Sequence, residues 1–401
     1  MKILFLAHRV PYPPNKGDKI RSFHILKHLA ERYRIHLAFP VDNEDDRDYA
    51  FQLKKLVPDL TFRYLSPINR ELSIFKNLFT SKPLSVGNFW STRLSRDIQQ
   101  LNSSEKFDAL FVFSSTMAEY AKYLEIPIRI IDFCDLDSAK FEQFANFTKA
   151  PKAWIYRIEC ERLSQYEKKT SGDFDYILFI GPAERKLFNA NGQEEKIKIL
   201  SNGIDLNRYK NHVDKKAPKN SESPSIAFTG QMDYLPNIDA ALWMATEVFP
   251  ELRKRYPKLR FYIIGKDPVK RIRRLHDPQN GIHVTGFVQD VLPYLIEASI
   301  FVAPMRIARG MQNKILEAMA CFVPVVSSSS AASGIGATAE KHLLIADGVE
   351  EYIEKVSLLL SEPDVGQILC KNAYDFLSTR FDWQTNLSVL DSLLSNPRST
   401  G

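Results

Sequence analysis

The stretch APMRIARGMQNKILEAMACFVPVVSS, residues 303–328, decides the fold. It joins an apolar strand end to a basic, glycine-containing loop (Arg306, Arg309, Gly310), then to a short helix and a buried strand, VPVV. A helix N-terminus presents backbone N–H groups without intrahelical partners, and permanent positive charge beside them makes a seat for a diphosphate. At helical spacing Asn313, Lys314 and Glu317 share one face, while Ile315, Leu316 and Met319 supply the buried one. An acidic side chain about one turn in from the phosphate-binding end can accept hydrogen bonds from a ribose or sugar diol. The segment therefore reads as a nucleotide-sugar site built without a metal.

Outward from this segment the chain repeats one order of elements. Residues 2–7 (KILFLA) are an apolar run of strand length, followed by a Pro/Asn/Gly loop, a helical pattern (FHILKHLAERY) and a second strand, IHLAFP. The second half has SIAFTG at 225–230, the loop QMDYLPN, the helix IDAALWMATEVFPELRKRY and the strand LRFYIIG. Strand–helix–strand units with continuous apolar strands predict parallel sheets covered by helices on both faces, and two such units predict a pair of doubly wound domains. Further strands are expected at 107–113, 128–133, 176–181 and 196–200, then at 282–287, 299–304, VPVV and 342–346. Residues 201–225 lose the apolar pattern, become rich in Lys, Pro and Ser, and read as a linker. The expected domains are 1–204 and 205–380, with an amphipathic helix over 381–396 packing back on the first.

A chain of 401 residues is too long for one ordinary core, which agrees with two domains. Its 44% hydrophobic and 25% charged residues are those of a soluble globular protein. The net charge of +6 suits anionic small molecules or an anionic membrane surface and gives little support to nucleic-acid binding. Cys134, Cys160, Cys321 and Cys370 are dispersed, without a CxxC pair, so neither a zinc site nor a disulfide framework is expected and a cytoplasmic setting is. The N-terminal ILFLA run meets His8 and Arg9 too early for a signal-peptide core, and no apolar run approaches the roughly 20 residues that span a bilayer. Residues 72–96 interleave Phe, Trp and Leu with Lys and Arg, a composition that can rest on the inner, anionic face of a membrane.

Taken together, SNGID (201–205), FTGQMDYLPNIDA (228–240), YIIG (262–265), VTGFVQDVLPYLIEASIFVAPM (284–305) and NKILEAMACFVPVVSS (313–328) resemble family four glycosyltransferases across nearly the whole chain. The variants HRVPYPPNKGDKIRSFHIL (8–26) and ARGMQNKILEAMA (308–320) look like a bacterial subgroup of sugar transferases associated with exopolysaccharide loci. The resemblance implies an α/β GT-B fold, with two Rossmann-like domains facing across a cleft that closes during retaining transfer. It also implies a pair of glutamates in the opening segment. The second is Glu317, the acceptor for the nucleotide ribose; the first falls on Arg309. The phosphate-binding Arg/Lys pair usual after the first strand of the second domain is missing as well, because that position reads GQMDYLPN. The positive charge is thus expected to have moved between loops, with Arg306, Arg309 and Lys314 together neutralising the diphosphate.

The first loop, PYPPNKGDKIRS, should face the acceptor, with Gly17 allowing close approach and Lys16 and Lys19 meeting any negative charge. Asp132, Asp135 and Asp137 suggest a metal-binding DxD pair, but the basic loop already supplies the counter-charge, so no metal is expected. Asp135 or Asp137 would instead contact sugar hydroxyls or position the acceptor hydroxyl; His8, after the first strand, could line the cleft, but a lone His at a strand end is more often a satisfied structural residue. Asn202 and Gly203 are expected to shape the interdomain crossing, and Gly334 and Gly336 to approach the donor sugar.

The resulting expectation is a metal-independent, retaining hexosyltransferase with no cofactor. It would move a sugar from a nucleoside-diphosphate sugar to a saccharide or lipid-linked acceptor in exopolysaccharide or cell-surface glycan synthesis. Arg309, Lys314 and Asp135 would carry catalysis; Glu317, Arg306, Gly310, Asn313, Gly230 and Gly17 would bind the nucleotide sugar and its surroundings. Two other readings share the fold, a sugar-nucleotide epimerase and a non-catalytic nucleotide-sugar-binding subunit.

Overall fold

The computed structural model describes residues 1–78, 80–188, 192, 194–213 and 223–395. It divides into two compact units, the first formed by Met1–Asn202 and the chain from Trp383 onward, the second by Gly203–Asp382. The divisions thus fall at 202/203 and 382/383, against the expected 204/205 and 380/381.

The first unit is built on a parallel seven-stranded sheet: β1 Lys2–Ala7, β2 Arg34–Val41, β3 Asp59–Tyr64, β4 Ala109–Phe113, β5 Ile128–Cys134, β6 Tyr176–Phe179 and β7 Ile197–Ile199, in spatial order 3-2-1-4-5-6-7. Side-chain alternation splits the core between the two faces of this sheet. Ile3 and Phe5 join Ile25, Leu26 and Leu29 of the helix Gly17–Ala30 on one face. Leu4 and Leu6 join Leu94 and Ile98 of the helix Thr92–Ser104 on the other. The helix Trp383–Ser395 packs on the first face through Leu387 and Leu390. It is held there by stacking of Trp383 on His24 at 4.3 Å and by Asp391 against His28 at 3.1 Å.

The second unit has a parallel six-stranded sheet: β8 Ser225–Thr229, β9 Arg260–Ile264, β10 Ile282–Gly286, β11 Ile300–Ala303, β12 Val325–Ser327 and β13 Leu344–Ile345, in order 10-9-8-11-12-13. Each expected apolar run lies on one of these strands. Strand β3 escaped the periodicity because it is a half-exposed edge strand whose sequence, DLTFRY, mixes charge with apolar residues. The long expected helix of the second unit forms over Leu235–Arg255, with a π-helical turn at Met244–Val248 just before Pro250, whose missing N–H interrupts the ladder.

The linker reading needs correction over Leu206–Val213, which is a helix. One aromatic anchor, Tyr209, is 5% exposed and belongs to the core of the second unit. Residues 214–222 of that stretch, and residue 396 of the expected C-terminal helix, lie outside the described residues.

In each sheet the strand order reverses beside the first strand, between β1 and β4 and between β8 and β11. In open parallel sheets, ligands bind at the carboxyl ends of the strands at this switch point.

Candidate functional site

In the second unit the switch point lies under two loops, the one after β8 and the one after β11. The β8 loop begins with backbones in near contact: a Cβ on Gly265 would lie 1.7 Å from the Gly230 carbonyl oxygen, and one on Gly230 would lie 2.7 Å from Asn237 Cγ. Gly230 therefore makes room for Asn237, in the first turn of the following helix. Asn237 is almost fully buried; its Nδ2 donates to the Gln231 carbonyl at 2.9 Å and its Oδ1 accepts from Lys314 Nζ at 2.6 Å. The sequence reading missed Asn237. The polar residue in LPNIDA, just past a glycine loop, was the available signal.

The β11 loop brings the basic segment to the same place. Gly310 has φ of +60°, and a Cβ on Gly334 would lie 2.0 Å from the Gly310 carbonyl oxygen. Gly334 is thus placed by packing on this loop. Gln312 then stands at the N-cap of the helix Asn313–Ala320, and its side chain makes no capping hydrogen bond. Asn313 and Lys314, both half-buried, open it; Ile315, Leu316 and Met319 are buried beneath.

The three cations differ in what holds them. Arg306 is exposed, and its guanidinium bonds Asp239 through both carboxylate oxygens, at 2.9 and 2.5 Å, and lies over the Trp243 ring. Lys314 lies over Phe228, its ammonium 4.6 Å from the ring centroid. Arg309 is half-buried, its Nε is buried without a hydrogen-bond partner, and its guanidinium makes no ion pair among the described residues. An unsatisfied buried donor costs about 1–3 kcal/mol, which is the mark of a group awaiting a ligand or water.

Glu317 sits one turn into the helix, and its carboxylate accepts no hydrogen bond from a described residue. Burial raises its pKa to about 7, against the opposing charges of Arg208 and Lys314. Burial lowers Lys314 to about 7, against the pull of Glu317. The helix Leu206–Val213 contributes here too: Arg208 pairs with Asp290 at 2.8 Å, and Glu317 helps to raise the Tyr209 hydroxyl, after burial, well above its usual range. Near neutral pH the site thus holds, among the described residues, one permanent cation without an ion pair, Arg309, and a lysine and a glutamate both poised to change charge.

The remaining candidates lie in the first unit. Gly17 is exposed, at the first position of the helix Gly17–Ala30. Lys19 is not free to meet an acceptor: it is buried and bonds Asp46 at 2.8 Å. His8, at the end of β1, faces Asp18 at 3.2 Å and stacks parallel to Phe113, with its Nδ1 buried and unpartnered. Burial would raise Asp18, but the hydrogen bond and charge of His8 and the charge of Arg9 hold it well below the carboxylate range.

The three aspartates on and just past β5 separate. Asp132 is fully buried against Arg21 at 2.7 and 3.0 Å. Asp137 bonds Lys140 and Ser115. Asp135 keeps a buried, unpartnered Oδ1, and burial, with Glu184 and Asp137 adding to it, raises the group to about 6. Among the described residues no three His, Cys, Asp or Glu side chains are placed to hold a metal ion.

Close by, Glu167 accepts from the Ser138 N–H at 3.1 Å and from its Oγ at 2.6 Å; burial, then Asp137, raises it to about 8. The native state therefore keeps a proton that the unfolded chain releases near its ordinary pKa of 4.5, and stability should fall as pH rises from there toward 8. Glu167→Gln, which imitates the protonated acid, should flatten that slope in urea unfolding followed at several pH values. An unchanged slope would remove Glu167 as its source.

Two parallel Rossmann-like units of this kind make the GT-B fold of glycosyltransferases, and residues 223–362, which contain both the β8 and the β11 loops, match the family described as "Glycosyl transferases group 1". Over 98% of its length the chain superposes on Anabaena Alr3699/HepE in complex with UDP, covering 100% of that chain at a TM-score of 0.68 and 16% identity. It likewise covers 98% of sucrose-phosphate synthase from Thermosynechococcus elongatus, at a TM-score of 0.72 and 14% identity. An uncharacterized 44.6 kDa protein in the cps region of Klebsiella pneumoniae is 20% identical over 392 residues, 95% of this chain and 96% of that protein.

Proposed function

We propose that the protein is a nucleotide-sugar glycosyltransferase of retaining type. One observation carries this reading: Arg309 and Lys314 stand at the uncapped N-terminus of a helix, at the switch point of a segment matching glycosyl transferases group 1. The diphosphate of the donor would lie on Arg309, Lys314 and the first N–H groups of the helix Asn313–Ala320. The ribose would bond Glu317, and the base would lie beside Gly230 and Gly265. Arg306, paired to Asp239, becomes an outer contributor rather than an equal member of the set. Asn237 orients the Lys314 ammonium. In retaining transfer the leaving phosphate itself can take the acceptor proton, so the site requires charge stabilisation more than a separate base.

The acceptor, a saccharide or lipid-linked saccharide, would bind the first unit, with Asp135 contacting its hydroxyls. The similarity to a cps-region protein and to a UDP-bound structure supports a uridine nucleotide donor and a role in exopolysaccharide or other surface-glycan synthesis. No metal or organic cofactor is assigned to the reaction.

Thermal-shift titration with a panel of nucleoside diphosphates and their sugars tests the donor half, because a ligand of the native state must raise Tm. Incubation of the stabilising donor with membrane lipid extract tests transfer, and an acceptor-free control detects epimerisation. Stabilisation by no sugar nucleotide would remove the proposal.

The site also has a defined pH response. Diphosphate binding favours the charged form of Lys314, so affinity should fall as pH rises above about 7; a ribose on Glu317 favours the carboxylate, so affinity should also fall below about 7. Lys314→Gln should remove the alkaline limb and Glu317→Gln the acid limb in calorimetric titrations with the nucleoside diphosphate. Variants that keep both limbs would reassign the pH dependence to other groups.

A further inference from the structure

In the apolar, basic stretch at 72–96, Val86, Gly87 and Leu94 are buried and Trp90 packs on Tyr120, while Leu72 and Phe75 are exposed. A second apolar exposure among the described residues of the first unit lies elsewhere. The helices Asp137–Phe147 and Lys152–Ser171 form a hairpin whose inner side is closed by Phe141, Phe144 and Tyr156. At its turn the outer side chains face water, with Trp154 66%, Phe147 48% and Ile155 44% exposed. Lys149, Lys152 and Arg157 surround them, exposed and without ion pairs among the described residues.

A tryptophan and two further large apolar groups clustered at one turn are not ordinary surface, where such side chains occur singly. Aromatic and aliphatic groups ringed by unpaired cations match the interface of an anionic bilayer: the rings insert at headgroup depth while the cations meet lipid phosphates. The hairpin is also fixed to the segment that carries Leu72 and Phe75. Glu159 accepts from the N–H groups of Leu84 and Ser85 at 2.8 Å, and Arg162 donates to the carbonyls of Asn77 and Lys82. Ile155, Glu159 and Arg162 share one helix face, so the exposed turn continues a rigid surface. We infer that the 147–157 hairpin turn is a docking surface for an anionic phospholipid membrane.

The test is sedimentation of the full chain with mixed phosphatidylglycerol–phosphatidylcholine vesicles and with pure phosphatidylcholine vesicles. The wild type should bind the anionic vesicles and release them at high salt. Lys149→Glu with Lys152→Glu, and separately Trp154→Ser with Ile155→Ser, should each weaken that binding about tenfold or more, at unchanged Tm. The substituted side chains are exposed, so both variants should fold. Equal sedimentation with neutral and anionic vesicles, or variants that bind like wild type, would overturn the assignment. So would a concentration-dependent dimer in size exclusion that Trp154→Ser abolishes, since the turn would then be a self-association face. The assay uses no sugar nucleotide, so its failure leaves the proposed transfer reaction untouched, and failure of transfer leaves it untouched in turn.

Discussion

Arg21→Ala should destabilise the first unit by about 3–5 kcal/mol in urea unfolding, the cost of leaving one half of a buried ion pair alone. The Arg21 side chain is fully buried, and so is Asp132. Its guanidinium donates through Nε and Nη2 to the two Asp132 oxygens, and through Nη1 to the Leu200 carbonyl at 2.6 Å and to Asn202 Oδ1 at 2.9 Å. Burial alone would favour the neutral arginine, but Asp132 foremost reverses this and raises its pKa. Truncation strands Asp132 without a counter-charge and takes from the Leu200 carbonyl and Asn202 Oδ1 the donor they share. Arg21→Met with Asp132→Leu should recover part of the loss, because neither charge is then desolvated, but not all, because both acceptors still lack the Arg21 hydrogen bonds. A loss below about 1 kcal/mol in the single variant would mean that water satisfies Asp132 and that the pair is not structural. The same residues make two further contacts: Asp132 also accepts from the Cys134 N–H, in the turn that leads to Asp135, and the Asn202 carbonyl accepts from Asn386 of the C-terminal helix.

Arg21 also shows what a sequence cannot display. In GDKIRSFHIL it stands among basic residues at a helix start, where solvated charge is the ordinary reading. Its partner lies 111 residues away, on a strand two places along the sheet order from the helix's own first strand, β1 to β4 to β5. Lys19 is the same case on a shorter span, with Asp46 on the next helix. The strands were legible because parallel strands buried on both faces must be continuously apolar, whereas edge strand β3, wetted on one side, obeys no such constraint. Within the candidate site the loop–helix segment was legible because its signals are local: a glycine at positive φ, a basic loop and a helical stripe. Which of its cations is free was not. Asp239 is one helix away from Arg306 in the fold, and only packing brings the two together. Tyr209 and Asn237 were hidden for the same reason, since each acquires its meaning from Glu317 or Lys314 on another element.

Arg309→Ala should lower kcat/KM for sugar transfer by about 10²–10³, the usual cost of removing one preorganised donor from developing charge. Arg306→Ala, on the same loop, should cost less than about tenfold, because an exposed guanidinium already paired to a carboxylate has little field left to offer. The contrast is the test, since both variants remove one positive charge and only one of them removes a free one. Stability should move the other way. Arg309 leaves its buried Nε unsatisfied in the unliganded protein, so its truncation should leave Tm unchanged or slightly raised, whereas Arg306→Ala breaks a contact with Asp239 and the Trp243 ring. Arg309→Lys should restore charge without the planar fork that holds two phosphate oxygens, and so recover only part of the rate. A nucleoside diphosphate should raise the Tm of the wild type and of Arg306→Ala, and fail to raise that of Arg309→Ala. If Arg309→Ala keeps both the thermal shift and the transfer rate, the diphosphate does not lie on this loop. An equal collapse in both variants would mean instead that the loop acts as one electrostatic field, with the pairing to Asp239 broken when the donor binds.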